Sequence, residues 1–409
     1  MIHVLDVILF FNALLILIPC VFFCIECLAA LSSRRFQLDK SSTNYPKTAI
    51  LIPAHNEAMV IGSTLESLLS QVENPKSIVV VADNCNDQTA AIARQLGVTV
   101  IERSNDQQRG KGYALDYGLR FLHENPPEIV ILIDADCYVG SQTIERLSEE
   151  AVVTDQPVQA LYLLEKPPNP TAINLISEFA FKVKNLVRPI GLDRLGLPCL
   201  LTGTGMAFPW SVLQDVSLAS DNIVEDMQLG IDLAIAGHLP RFCSEAKVIG
   251  VFPQQEKLAQ TQRKRWEHGH LKTLFNQVPR LFWGALTSRQ WKLLGLGLEL
   301  SIPPVSLMVM LWGISFVVTM LCTILGLSSW LPAILLTIAG ASLLMAIASA
   351  WTKYGSQEVP ASTFLLIPLY LLKKIPLYLG FLLRPQNQWV RTERDSSSLW
   401  LNQQNQNRN

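Results

Sequence analysis

The sequence predicts an α/β domain with a parallel sheet, inserted between membrane-spanning helices. Two observations predict this architecture. Residues 7–25 and 301–352 carry no charge, whereas charged residues recur every few positions between Arg34 and Glu299. From Thr48 onward, short apolar runs rich in β-branched residues alternate with longer helical patterns. This alternation is typical of a parallel sheet flanked by helices.

The composition limits the classes of protein to consider. The chain has 409 residues, of which 49% are hydrophobic and 16% are charged. This length accommodates one large soluble domain together with several membrane spans. The formal net charge of −1 gives no electrostatic argument for a nucleic-acid partner.

The uncharged stretches set the number of membrane spans. About 20 apolar residues cross the hydrocarbon, so the first stretch supplies one helix and the second supplies two, joined by a turn at 328–332. A cleaved signal peptide is the alternative at the N-terminus, but Asp6 stands where basic residues would be expected. Arg34 and Arg35 follow the first stretch, so the positive-inside rule places the N-terminus outside and the next domain in the cytoplasm.

These boundaries divide the chain into predicted segments. They are a membrane anchor at 1–33, a cytoplasmic α/β domain at 45–275, an interfacial helix region at 276–300, two transmembrane helices in 301–352, a further membrane segment at 361–383 and a cytoplasmic tail at 384–409. Phe282, Trp283 and Trp291 give the interfacial region the aromatic character of a helix at a membrane surface. Lys373 and Lys374 interrupt the last apolar segment, which favours an interfacial or re-entrant segment over a further full span.

Polar clusters follow three of the predicted strands. The predicted strands are Ala49–Pro53, Ile78–Ala82, Val98–Ile101, Ile129–Ile133, Gln159–Leu164, Leu200–Phe208 and Val248–Phe252, with helices at Ala58–Gln71, Thr89–Leu96 and Tyr113–His123. The clusters are His55 to Glu57, Asp83-Asn84 and Asp134 to Asp136. In open α/β sheets, ligands bind beyond the carboxyl ends of the strands, so we expect these clusters to converge on one crevice.

Asp134 and Asp136 are the candidate metal ligands. They flank one small residue directly after an apolar strand, where their carboxylates can reach a divalent cation and its bound phosphates. The alternative is a pair of loop aspartates that cap the helix expected near Thr143.

Further short motifs join this pair in a characteristic order. They are Pro53-Ala54-His55-Asn56-Glu57, Asp83-Asn84-Cys85, Gly110-Lys111-Gly112, Asp134-Ala135-Asp136, Thr202-Gly203-Thr204-Gly205, Glu225-Asp226 and Gln262-Arg263-Lys264-Arg265-Trp266. Over roughly 48–270 the chain resembles the membrane-bound members of glycosyltransferase family 2, the class that includes cellulose, hyaluronan and poly-N-acetylglucosamine synthases. The resemblance implies a GT-A fold, a nucleoside-diphosphate-sugar donor that is usually a uridine one, and inversion at the anomeric carbon.

Glu57, Asp83 and Lys111 are the candidate donor-binding residues, with Asp134 beside them. The two acids can accept hydrogen bonds from the base and the ribose, and Lys111 lies in a basic loop at a helix N-terminus, which suits a diphosphate. The alternatives are a first-turn helix acid for Glu57 and a solvated surface charge for Lys111.

Glu225 and Asp226 open a predicted amphipathic helix. Acids in a first turn usually complement the helix dipole. The resemblance instead implies that Asp226 is the general base that takes the proton of the acceptor hydroxyl, with Glu225 shaping its surroundings on the acceptor side. Val224 stands where the cellulose-synthase form has a threonine.

Gln262, Arg265 and Trp266 are expected on one helix that begins near Glu256. The resemblance implies that Arg265 contacts the donor diphosphate and that Gln262 and Trp266 contact the acceptor sugar, in agreement with guanidinium and aromatic chemistry. The alternative is an interfacial helix with an aromatic belt.

The segment Thr202 to Gly205 has two interpretations. Thr204 and Gly205 line the acceptor site in one of them, and the segment is only a tight bulge in the other. His268 and His270 are interpreted as structural or acceptor-side residues rather than metal ligands.

These assignments predict an integral-membrane, inverting glycosyltransferase of the inner or plasma membrane that requires Mg²⁺ or Mn²⁺. Its partners are a nucleotide-sugar donor, a saccharide or lipid-linked acceptor, and membrane lipids. Three or four spans are few for a polysaccharide channel, which favours a lipid-linked intermediate or a small membrane partner subunit. A membrane nucleotidyltransferase with the same metal and nucleotide pocket is the alternative from another class. A transporter or scaffold does not account for the acids at the strand ends.

Overall fold

A computed structural model describes residues 2–32, 46–165, 169–214, 216–219, 224–251 and 256–383. The chain forms two compact units. We call them the sheet unit, formed by 35–169, 198–269 and 386–409, and the helical unit, formed by 1–34, 170–197 and 270–385. The predicted tail at 384–409 and the Arg34-Arg35 pair lie outside the described residues.

The sheet unit contains one eight-stranded sheet in the order β3-β2-β1-β4-β7-β6-β8-β5. The strands are β1 Thr48–Ala54, β2 Ile78–Asp83, β3 Thr99–Arg103, β4 Ile129–Leu132, β5 Tyr138–Val139, β6 Val158–Glu165, β7 Met206–Pro209 and β8 Arg241–Val251. The strands β3, β2, β1 and β4 run parallel to one another, as do β6 and β8.

The sheet is mixed, and the prediction of a purely parallel sheet was wrong. β7 runs antiparallel to both β4 and β6. The segment before β7 lies at the carboxyl end of β4, where the backbone N–H of Gly205 donates to Leu132 O at 2.9 Å. Because the chain enters the sheet from this end, β7 has to run back along β4. The strand predicted at 200–208 is accordingly limited to Met206–Pro209.

The central strands are apolar because helices cover both faces of the sheet. The side chains of β1 alternate between the two layers. Ile50 and Ile52 pack in a buried cluster with Leu65, whereas Leu51 packs on the other face with Leu115. Burial on both faces explains why the first strands are recognisable in the sequence.

The helices follow the sequence prediction closely in the sheet unit. They are α1 Ile2–Ala29, α2 Ile61–Leu69, α3 Thr89–Gln95, α4 Lys111–Leu122, α5 Thr143–Thr154, α6 Ala172–Lys182, α7 Arg188–Arg194, α8 Trp210–Leu213, α9 Glu225–Ile235, α10 Glu256–Ser288, α11 Trp291–Ser301, α12 Val305–Ile324, α13 Trp330–Tyr354 and α14 Ile367–Leu383. A π-helical turn at Val183–Val187 joins α6 to α7, and a 3-10 turn at Ala361–Leu366 precedes α14. The helices that carry Asp226 and Arg265 begin at the predicted positions.

Four helical segments in the described part of the chain are long and apolar enough to cross a membrane: Val4–Ala29, Val305–Ile324, Trp330–Tyr354 and Ala361–Leu383. The last of these meets the length and composition of a span despite its two lysines. Trp283 and Trp291 are 70% and 77% exposed, as expected for a membrane surface, whereas Leu293 and Leu300 are buried within the helical unit.

Hydrogen bonds at both ends show that α1 and α13 run in the same direction. At one end, Asp6 Oδ1 accepts from the backbone N–H of Ser329 at 2.8 Å and from the Ser328 hydroxyl at 2.7 Å. At the other end, the Tyr354 hydroxyl donates to Ala30 O at 2.6 Å. The start of α1 and the turn between α12 and α13 are therefore on the same side of the helical unit.

Candidate functional site

The loops that follow β1 and β2 are joined by hydrogen bonds. His55 Nδ1 lies 2.7 Å from Asp83 O, and the backbone N–H of Glu57 donates to Thr89 Oγ1 at 2.8 Å. Glu57 and Asp83 are both buried. The two acids predicted to bind the nucleotide are thus held in one rigid corner of the sheet.

Asp83 has a partner that sequence reasoning missed. Arg103 Nη1 donates to Asp83 Oδ1 at 2.7 Å and to Gln108 O at 2.9 Å, and the guanidinium lies 5.7 Å from the centre of the Tyr113 ring. Arg103 ends β3, where it is the register partner of Asp83 on the parallel neighbour β2. The strand register is the signal that identifies this pair, and it becomes visible only when the sheet order is known.

Asp134 and Asp136 come together as the metal prediction requires. One ligand atom each from Asp134, Asp136 and Cys137 lie within 4.8 Å of one another. Burial, followed by the charges of Asp136 and Asp134, raises the pKa of the Cys137 thiol, which therefore stays protonated. Two carboxylates and no thiolate suit a hard divalent cation such as Mg²⁺ or Mn²⁺.

Lys111 is an ion-paired residue of this cluster. Its Nζ lies 2.5 Å from Asp134 Oδ1 and donates to Gly203 O at 2.6 Å. Burial lowers the pKa of Lys111, but the charges of Asp134 and then Glu225 outweigh burial and hold it above its usual value. The ammonium therefore remains charged beside the metal carboxylates, in place of the solvated surface charge that was the alternative.

Glu225 and Asp226 reach the same cluster from the first turn of α9. A Cβ atom added to Gly203 would lie 3.1 Å from Asp226 Oδ2 and 3.6 Å from Lys111 Nζ, which shows how close these groups approach. Burial raises the pKa of Glu225 to about 7, with Lys111 opposing and Asp226 adding to the shift. A base candidate thus lies next to the cation that holds Asp134.

The loop 202–205 supports this cluster from below. Thr204 is fully buried, and its Oγ1 accepts from the backbone N–H of Asp134 at 3.0 Å. A Cβ added to Gly205 would lie 2.8 Å from the Cβ of Ala160, and Gly205 has a φ of 66°. The structure therefore places Thr204 and Gly205 in a tight turn, and their predicted contact with an acceptor stays a prediction.

The first part of α10 packs against the start of α9. A Cβ added to Gly269 would meet Val224 Cγ1 at 2.6 Å, so the valine fills the space directly before the acid pair. Gln262 is buried on this helix, and Arg265 and Trp266 are partly exposed. In the helical unit, burial lowers the pKa of His270 to about 3, assisted by Lys184 and Arg188, which fits a neutral structural histidine.

A family model described as glycosyltransferase like family 2 matches residues 46–269, more than half of the chain. The chain belongs to this family. A 4,4'-diaponeurosporenoate glycosyltransferase from Staphylococcus aureus is 33% identical over 127 residues, which are 30% of this chain and 33% of that relative. The match therefore spans about a third of the length of the curated relatives.

Solved structures of glycosyltransferases are similar to this family 2 chain. A mannosyltransferase from Pyrobaculum calidifontis in complex with GDP-Man and Mn²⁺ has a TM-score of 0.50 at 16% identity and covers 94% of this chain and 100% of its own. A glucosyl-3-phosphoglycerate synthase from Mycobacterium tuberculosis with Mn²⁺, UDP and phosphoglyceric acid has a TM-score of 0.32 at 20% identity, covering 50% and 68%.

The comparisons confirm two predictions for this family 2 protein. The sheet unit has the GT-A fold, flanked in the chain by helices apolar enough to span a membrane. The enzyme class is glycosyltransferase. The predicted site residues of the sheet unit lie on the elements named above, and Arg103 and Gln159 join them as residues that the sequence did not reveal.

Proposed function

We propose that this chain is an inverting glycosyltransferase that moves a sugar from a nucleoside-diphosphate sugar to an acceptor hydroxyl. One observation supports this proposal above the others. Lys111 lies between the metal carboxylate Asp134 and the loop carbonyl of Gly203, and Asp226 lies against the same glycine. A candidate base and a candidate metal site in direct contact suit a single displacement at one carbon.

Asp136, assisted by Asp134, would hold the divalent cation. The bound cation would supply charge stabilisation for the departing nucleoside diphosphate. Lys111 already pairs with Asp134, which leaves Asp136 as the principal metal ligand. Arg265 would add a guanidinium to the same diphosphate, because its planar fork matches phosphate oxygens.

Asp226 would accept the proton of the acceptor hydroxyl as its oxygen attacks the anomeric carbon from the face opposite the nucleotide. The bond to the diphosphate breaks as the new glycosidic bond forms, so an α-linked donor gives a β-glycoside. Glu57 and Asp83, with Arg103 fixing the latter, would bind the nucleoside. We propose a uridine donor, with a guanosine donor as the alternative to be measured.

We further propose a membrane enzyme of the cellulose and hyaluronan synthase type, with its sheet unit in the cytoplasm. The acceptor would be a saccharide or a lipid-linked sugar, with Gln262 and Trp266 contacting it, and with a small membrane subunit as a possible partner. The parallel α1 and α13 support the topology, since they place the N-terminus and the 328–332 turn on one side.

The orientation can be measured with single cysteines at Leu327 and Ser356, in an active chain that lacks the native cysteines. An impermeant thiol reagent should label Leu327→Cys from outside intact cells and Ser356→Cys only after lysis. Labelling of Ser356→Cys from outside would place the sheet unit away from cytoplasmic nucleotide sugars.

The decisive experiment for function measures transfer by the purified chain in lipid nanodiscs. UDP-sugars and GDP-sugars are compared with Mg²⁺, with Mn²⁺ and with a chelator, and the anomeric configuration of the product is determined by NMR. We expect release of nucleoside diphosphate, loss of transfer with chelator, and a β-linked product from an α-linked donor. Retention of configuration would contradict inversion. Release of pyrophosphate from a nucleoside triphosphate would instead support a nucleotidyltransferase.

A further inference from the structure

Gln159 is a buried side chain of β6 whose amide bonds only to backbone in the described residues. It is 2% exposed and lies opposite Met206 of β7. Its Nε2 donates to Ala160 O at 2.8 Å and to Thr204 O at 2.9 Å, and its Oε1 accepts from the N–H of Thr202 at 2.9 Å. Both amide hydrogens and the amide oxygen are therefore used.

These bonds hold the loop 202–205 at both ends. Within that loop, Gly203 O accepts from Lys111 Nζ, and Thr204 Oγ1 accepts from the N–H of Asp134. Gly203 also lies against Asp226 Oδ2. The metal strand, the ammonium and the candidate base are thus all referenced to one short loop.

The loop needs an external clamp because of its own sequence. Gly203 has a φ of 95° and Gly205 has a φ of 66°, a region that few other residues adopt. Glycine permits this conformation and also many others, so the loop does not hold itself. A glutamine amide has the two donors and one acceptor that the loop presents in complementary form.

We propose that Gln159 is a positioning residue for the transfer reaction, which fixes loop 202–205 so that Lys111 and Asp226 keep their places in the reacting cluster. This inference rests on the proposed function. Gln159 acts through the loop and has no contact with donor or acceptor in the proposal. Because misplacing reacting groups by about 1 Å costs about 10²-fold in rate, the effect should appear in kcat.

The chain contains a matched control at Gln71. Its Nε2 donates to Ser67 O at 2.9 Å and to Val139 O at 3.3 Å, and its Oε1 accepts from the N–H of Ile144 at 3.3 Å. The same three kinds of bond are therefore made elsewhere in the sheet unit, without the loop. Substitution by glutamate removes both donors at either position and changes the volume little.

The test compares Gln159→Glu and Gln71→Glu in nanodiscs, per folded molecule. We expect kcat to fall by about 10² in Gln159→Glu, with the donor KM changed less than about threefold, and kcat of Gln71→Glu to stay within about threefold of wild type. Equal kcat values for the two variants would overturn the inference. Gln159→Met, which keeps the volume without placing a charge, serves if the glutamate variant fails to fold.

A second measurement does not require substrate. Hydrogen–deuterium exchange of peptides covering 202–205 should be faster in Gln159→Met than in wild type and unchanged in Gln71→Glu, because only the first variant releases the loop. Unchanged exchange in Gln159→Met would overturn the inference by itself. A wild-type chain without transfer from any nucleotide sugar would count against the proposed function, and the exchange result would still decide the role of Gln159.

Discussion

Two clusters in this molecule are each built around one cation, and they differ in access to solvent. In the sheet unit, the side chains of Lys111 and Asp134 are 20% and 30% exposed. In the helical unit, the side chain of Arg188 is 3% exposed and those of Glu26 and Glu299 are 0% and 4% exposed. The first cluster is open to a ligand, and the second is closed within the protein.

The closed cluster lies where helices cross. Arg188 Nε donates to Glu26 Oε2 at 3.0 Å, and its Nη2 donates to Glu299 Oε2 at 2.5 Å and to Glu299 O at 3.0 Å. A Cβ added to Gly191 would lie 2.1 Å from Glu26 O, so α7 and α1 touch through their backbones. This arginine therefore joins α1, α7 and α11, whereas Lys111 belongs to the site proposed for the chemistry.

The largest expected effect lies in the open cluster, at Asp136. Asp136→Asn should abolish turnover and weaken donor binding in Mg²⁺ or Mn²⁺, because the cation loses its principal carboxylate. Transfer rate and donor affinity are measured in nanodiscs. Asp155→Asn is the control, since Asp155 is exposed at the end of α5 with a φ of 50° that asparagine tolerates. Metal-dependent activity near wild type in Asp136→Asn would remove the metal assignment.

The closed cluster should respond in stability and not in chemistry. Arg188→Leu leaves two buried carboxylates without their cation, which costs about 3–5 kcal/mol. The measurement is thermal or denaturant unfolding in detergent. The triple variant Arg188→Met, Glu26→Gln, Glu299→Gln should recover much of the loss, because no buried charge remains. Equal destabilisation of the single and triple variants would show that packing, not charge, holds this crossing.

Asp226→Asn tests the open cluster at its catalytic end. The amide cannot accept the acceptor proton, so kcat should fall by a factor on the order of 10² while donor binding stays nearly intact. Asp232→Asn on the same helix is the control, with little change expected. Weakened donor binding with normal turnover at saturation would make Asp226 a donor ligand instead of the base.

Local sequence patterns were sufficient for the elements that carry the open cluster. The strands β1, β2 and β4 are continuous apolar runs because both of their faces are buried, and acids follow each of them. Asp83, Asp134 and Asp226 are thus recognisable from their position after a strand or at the start of a helix. The direction of β7 was not predictable, because a tertiary contact at Gly205 sets it.

The remaining residues depend on contacts that no local pattern encodes. Arg103 follows from the register of β2 and β3, and Gln159 resembles any polar residue of a strand until its loop is in place. Arg188 lies in sequence within the predicted 45–275 domain, yet its segment 170–197 belongs to the helical unit. A buried charge whose partners are 162 and 111 residues away is invisible to periodicity.

The smallest expected effect is a pH dependence of stability that only the open cluster should show. Burial raises the pKa of Glu225 from its ordinary value of 4.5 to about 7, and Asp226 adds to the shift. Between these values the folded state binds more protons than the unfolded state, so stability should fall as pH rises through this window. Below about pH 4 both states are protonated, and above about pH 8 both are ionised, so the dependence ends there.

Glu225→Gln removes this titration, so the difference in Tm between the variant and wild type should be small at pH 4 and should grow in favour of the variant up to about pH 8. Thermal unfolding in detergent, without metal or nucleotide, measures it. Glu145→Gln makes the same change in the first turn of α5, outside the cluster, and serves as the control. A Tm difference that stays constant from pH 4 to 8 would mean that Glu225 ionises normally. The open cluster would then be solvated well enough to hold Glu225 and Asp226 as two carboxylates without a proton, and the contrast with the closed cluster would be greater.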